Sequence, residues 1–118
     1  DAAQIGSSGD AAKIGSSGDA AQIGSSGDAA KIGSSGYAAK IGSSGDDAQI
    51  DCSGNDSVVA AIGKYSSVKA AKGCWIVLAE YDSDGKPVTV KSAKIDGKKL
   101  KAETYYTLKK GKIVQVKD

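Results

Sequence analysis

The chain contains no His, Arg, Met or Phe, and only one Pro, one Trp and two Cys in 118 residues. Each absence excludes something. Without His, neither a Ser-His-Asp nor a Cys-His arrangement can be assembled, and the mixed Cys/His zinc sites lack their ligands. Cys52 and Cys74 form no Cys-x-x-Cys pair and no metal-ligand spacing, so they are expected as free thiols in or near the core. No apolar run approaches the ~18 residues of a membrane span. These gaps predict no enzyme, no cofactor, no metal site and no membrane partner. The first residue is Asp rather than Met and no signal peptide follows, so the chain is expected to begin after processing or inside a longer product. As it stands it is expected to be soluble and cytoplasmic.

What is present is repetition. Residues 1–45 are five near-identical copies of Asp-Ala-Ala-Gln-Ile-Gly-Ser-Ser-Gly, with Gln or Lys at the fourth position. A longer period lies inside the run, because residues 1–18 recur unchanged as 19–36. Fixed-period self-similarity marks a solenoid, in which each repeat buries its apolar face only against its neighbours.

The phase outlasts the perfect copies. Position five reads Ile5, Ile14, Ile23, Ile32, Ile41, Ile50, Val59 and Val68, and position seven is Ser, then Cys52, Ala61 and Ala70. Alternate residues of a strand share one face, so positions three, five and seven are the predicted interior and position four faces solvent. A helix does not suit this unit, since two Gly per nine residues would cost about 1 kcal/mol each. The unit reads instead as a short Ala-Gln-Ile strand and a Gly-Ser-Ser-Gly-Asp corner, with Gly supplying the positive φ. Two units per coil give an all-β, flattened parallel solenoid of about four 18-residue coils over residues 1–73.

The remaining residues, 74–118, obey a different grammar. Runs of β-formers alternate with Asp84-Gly85, Asp96-Gly97 and Gly111, the pattern of an antiparallel β-meander. Charge shifts at the same place: residues 1–73 hold 8 Asp and 6 Lys, residues 74–118 hold 10 Lys and 6 acids. Solenoids need a cover over their open ends. The tail is therefore expected to cap the last coil, with Trp75 and Val77 sharing the inward face and Trp75 as the largest apolar plug.

The repeats, together with the ending that runs from Lys72-Gly73-Cys74-Trp75-Ile76 through Leu78-Ala79-Glu80 to a final hairpin, resemble a group of uncharacterised bacterial and phage-associated nonapeptide-repeat β-solenoid proteins. The likeness covers nearly the whole chain, and its tail is the more specific part. Cys74 stands where the group has Ser, and the second repeat position is Ala where the group often has Tyr. The resemblance implies a solenoid with a C-terminal cap and carries over no activity. The uniformity of residues 1–45 further suggests a consensus-engineered version.

Other trades of solenoids fit poorly. In calcium-binding nonapeptide rolls one residue separates the last Gly from Asp, whereas Gly9-Asp10 and Gly18-Asp19 are adjacent. Asp10, Asp28 and Asp46 should still stack along one edge, as should Asp1 and Asp19, and cation binding along these columns is a lesser alternative. Ice binding would want a flat Thr-rich array, and the perfect repeats contain no Thr. Lys98, Lys99, Lys101, Lys109, Lys110 and Lys112 make the tail basic, but without Arg, and with only Tyr105 and Tyr106 to stack, a solvated face is expected rather than nucleic acid. The functional expectation is a structural scaffold. Its alternative is a self-assembly module that dimerises or stacks through the first coil, making a homodimer through the N-terminal coil edge the one expected partner.

Overall fold

The computed structural model describes residues 4–11, 13–16 and 18–116. Eight four-residue strands succeed one another every nine residues: β1 (Gln4–Ser7), β2 (Lys13–Ser16), β3 (Gln22–Ser25), β4 (Lys31–Ser34), β5 (Lys40–Ser43), β6 (Gln49–Cys52), β7 (Val58–Ala61) and β8 (Ser67–Ala70). Four longer or antiparallel ones follow: β9 (Trp75–Tyr81), β10 (Pro87–Lys94), β11 (Tyr105–Lys109) and β12 (Lys112–Gln115). Odd strands of the repeat region stack in one sheet and even strands in the other, in the orders β1-β3-β5-β7-β9-β10 and β2-β4-β6-β8-β11-β12. Ile5 pairs with Ile23 and Ile14 with Ile32, an offset of 18 residues, so the coil is two repeats long.

Alternation within each strand builds the core. Ile23, Ile32, Ile41, Ile50, Val59 and Val68 are buried, with Ala or, at Ser57 and Ser66, Ser at position three and Ser, Cys or Ala at position seven beside them. Ile5 and Ile14 are only half-buried, because no described coil lies above them. The narrow interior leaves some polar atoms stranded: Ser25, Ser34 and Ser43 Oγ have no hydrogen-bond partner among the described residues. A buried unpaired hydroxyl is worth about 1–3 kcal/mol of penalty. Ser34→Ala with Ser43→Ala should therefore raise the midpoint of urea unfolding, and a lowered midpoint would show that these hydroxyls are satisfied in solution.

The structure corrects the local reading of the repeat. The strand covers positions four to seven and so includes the first Gly, while the corner runs from position eight into the next unit. The left-handed residue of the corner is not a glycine. It is position two: Ala11, Ala20, Ala29, Ala38, Asp47, Asp56 and Tyr65, with φ of 56–60°. The Gly at position nine serves close approach instead. A Cβ on Gly45 would lie 2.0 Å from the carbonyl oxygen of Gly27 one coil earlier. The tail glycines Gly85, Gly97 and Gly111 do have positive φ, as their turns require. At the second of these turns Asp96 accepts the N–H groups of Lys98 and Leu100. Those bonds, that of Lys98 first, hold its carboxyl below the usual range. This stabilisation is present above the ordinary carboxylate range and fades as pH falls through the lowered value.

The tail is also rearranged. β9 pairs parallel with β7, so the stack continues past the expected boundary at Gly73 to a ninth strand. The offset between β7 and β9 is 17 rather than 18, Val58 against Trp75, because the corner before Cys74 is one residue shorter. That deletion sends Trp75 outward and Ile76 and Leu78 inward. Trp75 is 47% exposed and Val77 half-buried, so neither is the interior residue expected, whereas Ile76 and Leu78 are buried. The antiparallel strands form two hairpins rather than one meander: β10 extends one sheet from β9, and the β11–β12 pair extends the other from β8. The end of the core is covered by Ile95, Tyr106 and Leu108, with Leu100, Ala102 and Ile113 packed alongside.

Candidate functional site

The corners hold the repeated carboxylates, and each has a structural partner. Asp10 Oδ1 accepts the N–H of Asp28 at 3.1 Å, Asp28 that of Asp46 at 2.9 Å, and Asp46 that of Lys64 at 2.9 Å. On the opposite edge Asp19 accepts the N–H of Tyr37 at 3.0 Å. Asp1, the expected head of that column, lies outside the described residues. The reach works because position one of each coil stands directly over position one of the coil before it. A carboxylate there satisfies an N–H that the strand ladder leaves unpaired. No group of three or more metal-ligating side chains occurs among the described residues.

Where the columns break, the residues find other contacts. The Tyr37 hydroxyl donates to Asp56 Oδ2 at 3.0 Å, and that bond, with the carboxylate's charge, raises its pKa. Lys69 pairs with Asp51 at 3.4 Å and lies 5.3 Å from the Tyr105 ring. Cys52 and Cys74 are free and buried. Cys74 Sγ and Ser57 Oγ both donate to the Gly54 carbonyl at 3.1 Å. Burial pushes the Cys52 thiol up, which keeps it protonated and unreactive.

The tail lysines Lys98, Lys99, Lys101, Lys109, Lys110 and Lys112 are all exposed. Tyr105 and Tyr106, the aromatic pair nearest to them in sequence, are split. Tyr106 is buried, its hydroxyl accepting the Lys101 N–H at 2.7 Å, while Tyr105 faces Lys69. A cleft of about 450 Å³ opens where β9 overhangs the corner, walled by Tyr65, Tyr81, Lys64 and Lys109 over Ala79 and Leu108. Glu80 on its wall accepts the N–H groups of Lys110 and Gly111, which fastens the β11–β12 turn to β9.

The feature that the sequence pattern hid is on the outer face of the first sheet. Pairing sets Gln4, Gln22, Lys40, Val58, Trp75 and Lys94 in one row across all six strands. Beside it runs a second row of Gly6, Gly24, Gly42, Ala60, Val77 and Ser92. Two signals were present in the sequence: Val58 at the outward fourth position, and the one-residue deletion before Cys74, which exchanges the faces of β9. No helix among the described residues is long and apolar enough to cross a membrane. Comparisons with protein-family models, curated proteins and solved structures returned no match.

Proposed function

We propose that this chain is a non-catalytic structural scaffold, a short stack of like coils closed by a C-terminal cap. The observation that carries the reading is the use made of the repeat's own chemistry. Its carboxylates are consumed in holding the next coil's backbone, and its glycines in letting coils approach. Polar groups already committed to the fold are poorly placed to turn over a substrate. Such a scaffold should lengthen by modules. Duplicating residues 19–36 should add one rung, about 4.8 Å, to each sheet and leave the cap intact. Small-angle scattering and thermal unfolding would test it, and a duplicated chain that fails to fold would contradict it. The uniformity of residues 1–45 extends the reading to origin, as an engineered, consensus-type stack joined to a natural-like cap. A genome encoding those residues unchanged would contradict that.

A second reading is self-assembly through the first coil, as a homodimer or a stack. It is favoured by β1 and β2 each standing at the end of its sheet, with Ile5 and Ile14 half-buried. Unpaired strand edges template further pairing. Light scattering should then report a mass above the monomer that falls when a charged residue is placed before Asp1. A monomer in both cases would contradict it.

A further inference from the structure

Trp75 is the chain's only Trp, and the fold turns it outward. It is not alone. Val58, its partner on β7, is 44% exposed, Val90 on β10 shares the same face, and Ile62 just beyond β7 is also exposed. The equivalent positions of the earlier coils are Gln4, Gly6, Gln22 and Gly24, so the apolar patch begins where the perfect repeats end. The opposite sheet carries Gln49, Asp51, Ser67 and Lys69 at these positions. An exposed apolar surface on one face only, with a Trp and a Val side by side at one end of it, has the composition of a docking site.

Its flanks say what docks. The row through the patch reads Lys40, Val58, Trp75, Lys94, a cation on each side of two apolar rungs. Among the outward positions of β5, β7, β9 and β10 there is no carboxylate. A second copy laid face to face would bring lysines against lysines. The β10 edge is itself defended against strand addition by Pro87, a register shift between Pro87 and Thr89, and Lys91. The face, not the edge, is what remains open.

We propose that this face binds an extended segment of a partner protein in which one apolar side chain is flanked on both sides by acidic residues. The two lysines stand three rungs apart, about 14 Å at the usual strand spacing. Four residues of extended chain cover about the same length. The segment therefore has the form acid-x-apolar-x-acid. Its apolar side chain meets Val58 and Trp75, and its carboxylates meet Lys40 and Lys94. Complementary charge at the flanks sets register and excludes the wrong partners.

Trp75 is its own reporter. Titration with the peptide Ser-Glu-Thr-Phe-Thr-Glu-Ser should move its emission to shorter wavelength, with an apparent affinity roughly tenfold or more above that of Ser-Lys-Thr-Phe-Thr-Lys-Ser. The double variant Lys40→Glu with Lys94→Glu, at exposed positions, should invert that preference, and Val58→Asp, which takes away the apolar contact and repels carboxylates, should remove the response to the acidic peptide. Equal response to both peptides, or no response, would overturn the proposal. So would a shift that depends on protein concentration alone, which assigns the face to a second copy. A shift with phosphatidylserine–phosphatidylcholine vesicles but not with the peptide would overturn it in favour of a membrane surface.

Discussion

Replacing Gly45 by Ala should destroy the folded solenoid, whereas replacing Gly33 by Ala should leave it nearly untouched. The two residues sit at positions six and nine of successive copies of the repeat and are chemically identical. Their surroundings are not. A Cβ on Gly45 would sit 2.0 Å from the carbonyl oxygen and 2.6 Å from the carbonyl carbon of Gly27. Both contacts are to backbone, which can retreat only by separating the coils. The same clash recurs at Gly27, Gly36, Gly54 and Gly63, so a separation at one corner has no slack to borrow from the next. The expected loss is more than about 3 kcal/mol, beyond the usual cost of overpacking. At Gly33 a Cβ meets nothing within 4 Å, and the same position in later coils is occupied by Asp51, Ala60 and Lys69. Ala there should shift stability by less than about 0.5 kcal/mol, as at an ordinary surface site. Urea unfolding followed by circular dichroism separates the two, and equal effects would refute the close-packed corner.

The second large effect concerns where the core is. Ile50 is fully buried at the middle of the stack, with Ile32 and Val68 as its ladder partners. Truncation to Ala there should cost about 2–5 kcal/mol, the range for deleting a buried branched side chain and leaving a cavity. Leu78, buried on the ninth strand, should behave alike. Trp75→Ala, at a side chain 47% exposed, should cost less than either, because it opens no enclosed cavity and removes only the covered half of the indole. Thermal or urea denaturation of the three variants gives the order directly. A Trp75 loss equal to that at Ile50 would restore the indole to the interior and contradict the register of the last strand.

How much of this was legible in the residues divides along a physical line. Periodicity reports which side chains face inward, and it found Ile23 through Val68, the 18-residue coil and the all-β class, because burial selects residue type at every repeat. Corners are set by backbone torsion and by neighbours a coil away, and there composition misled. Two glycines per unit suggested positive φ at glycine, yet Ala29 and its equivalents adopt it. Their N–H groups are held by the next coil, as Ala29 donates to the Asp46 carbonyl at 2.7 Å. The Asp columns could be placed by counting, but their role could not, since a bond from Asp28 to a backbone N–H eighteen residues away leaves no trace in composition. The outward turn of Trp75 depends on a single missing corner residue, because a one-residue slip exchanges the faces of a strand. The tail strands were each visible, whereas their division between two sheets follows from β8 and β9 ending on opposite sides of the coil.

The central claim is that residues 18 apart are neighbours and residues nine apart lie on opposite sheets. Gly24, Gly42 and Gly33 offer outward positions with open space above them, suited to substitution by Cys. Under mild oxidation the chain carrying Gly24→Cys and Gly42→Cys should close a disulfide, since adjacent rungs lie about 4.8 Å apart and a disulfide spans Cα atoms roughly 4.4–6.8 Å apart. The chain carrying Gly24→Cys and Gly33→Cys should not, its thiols lying on opposite outer faces. Mass spectrometry of the oxidised proteins reads the outcome. Cross-linking of the nine-residue pair, or failure of the eighteen-residue pair in a folded chain, would contradict the two-unit coil.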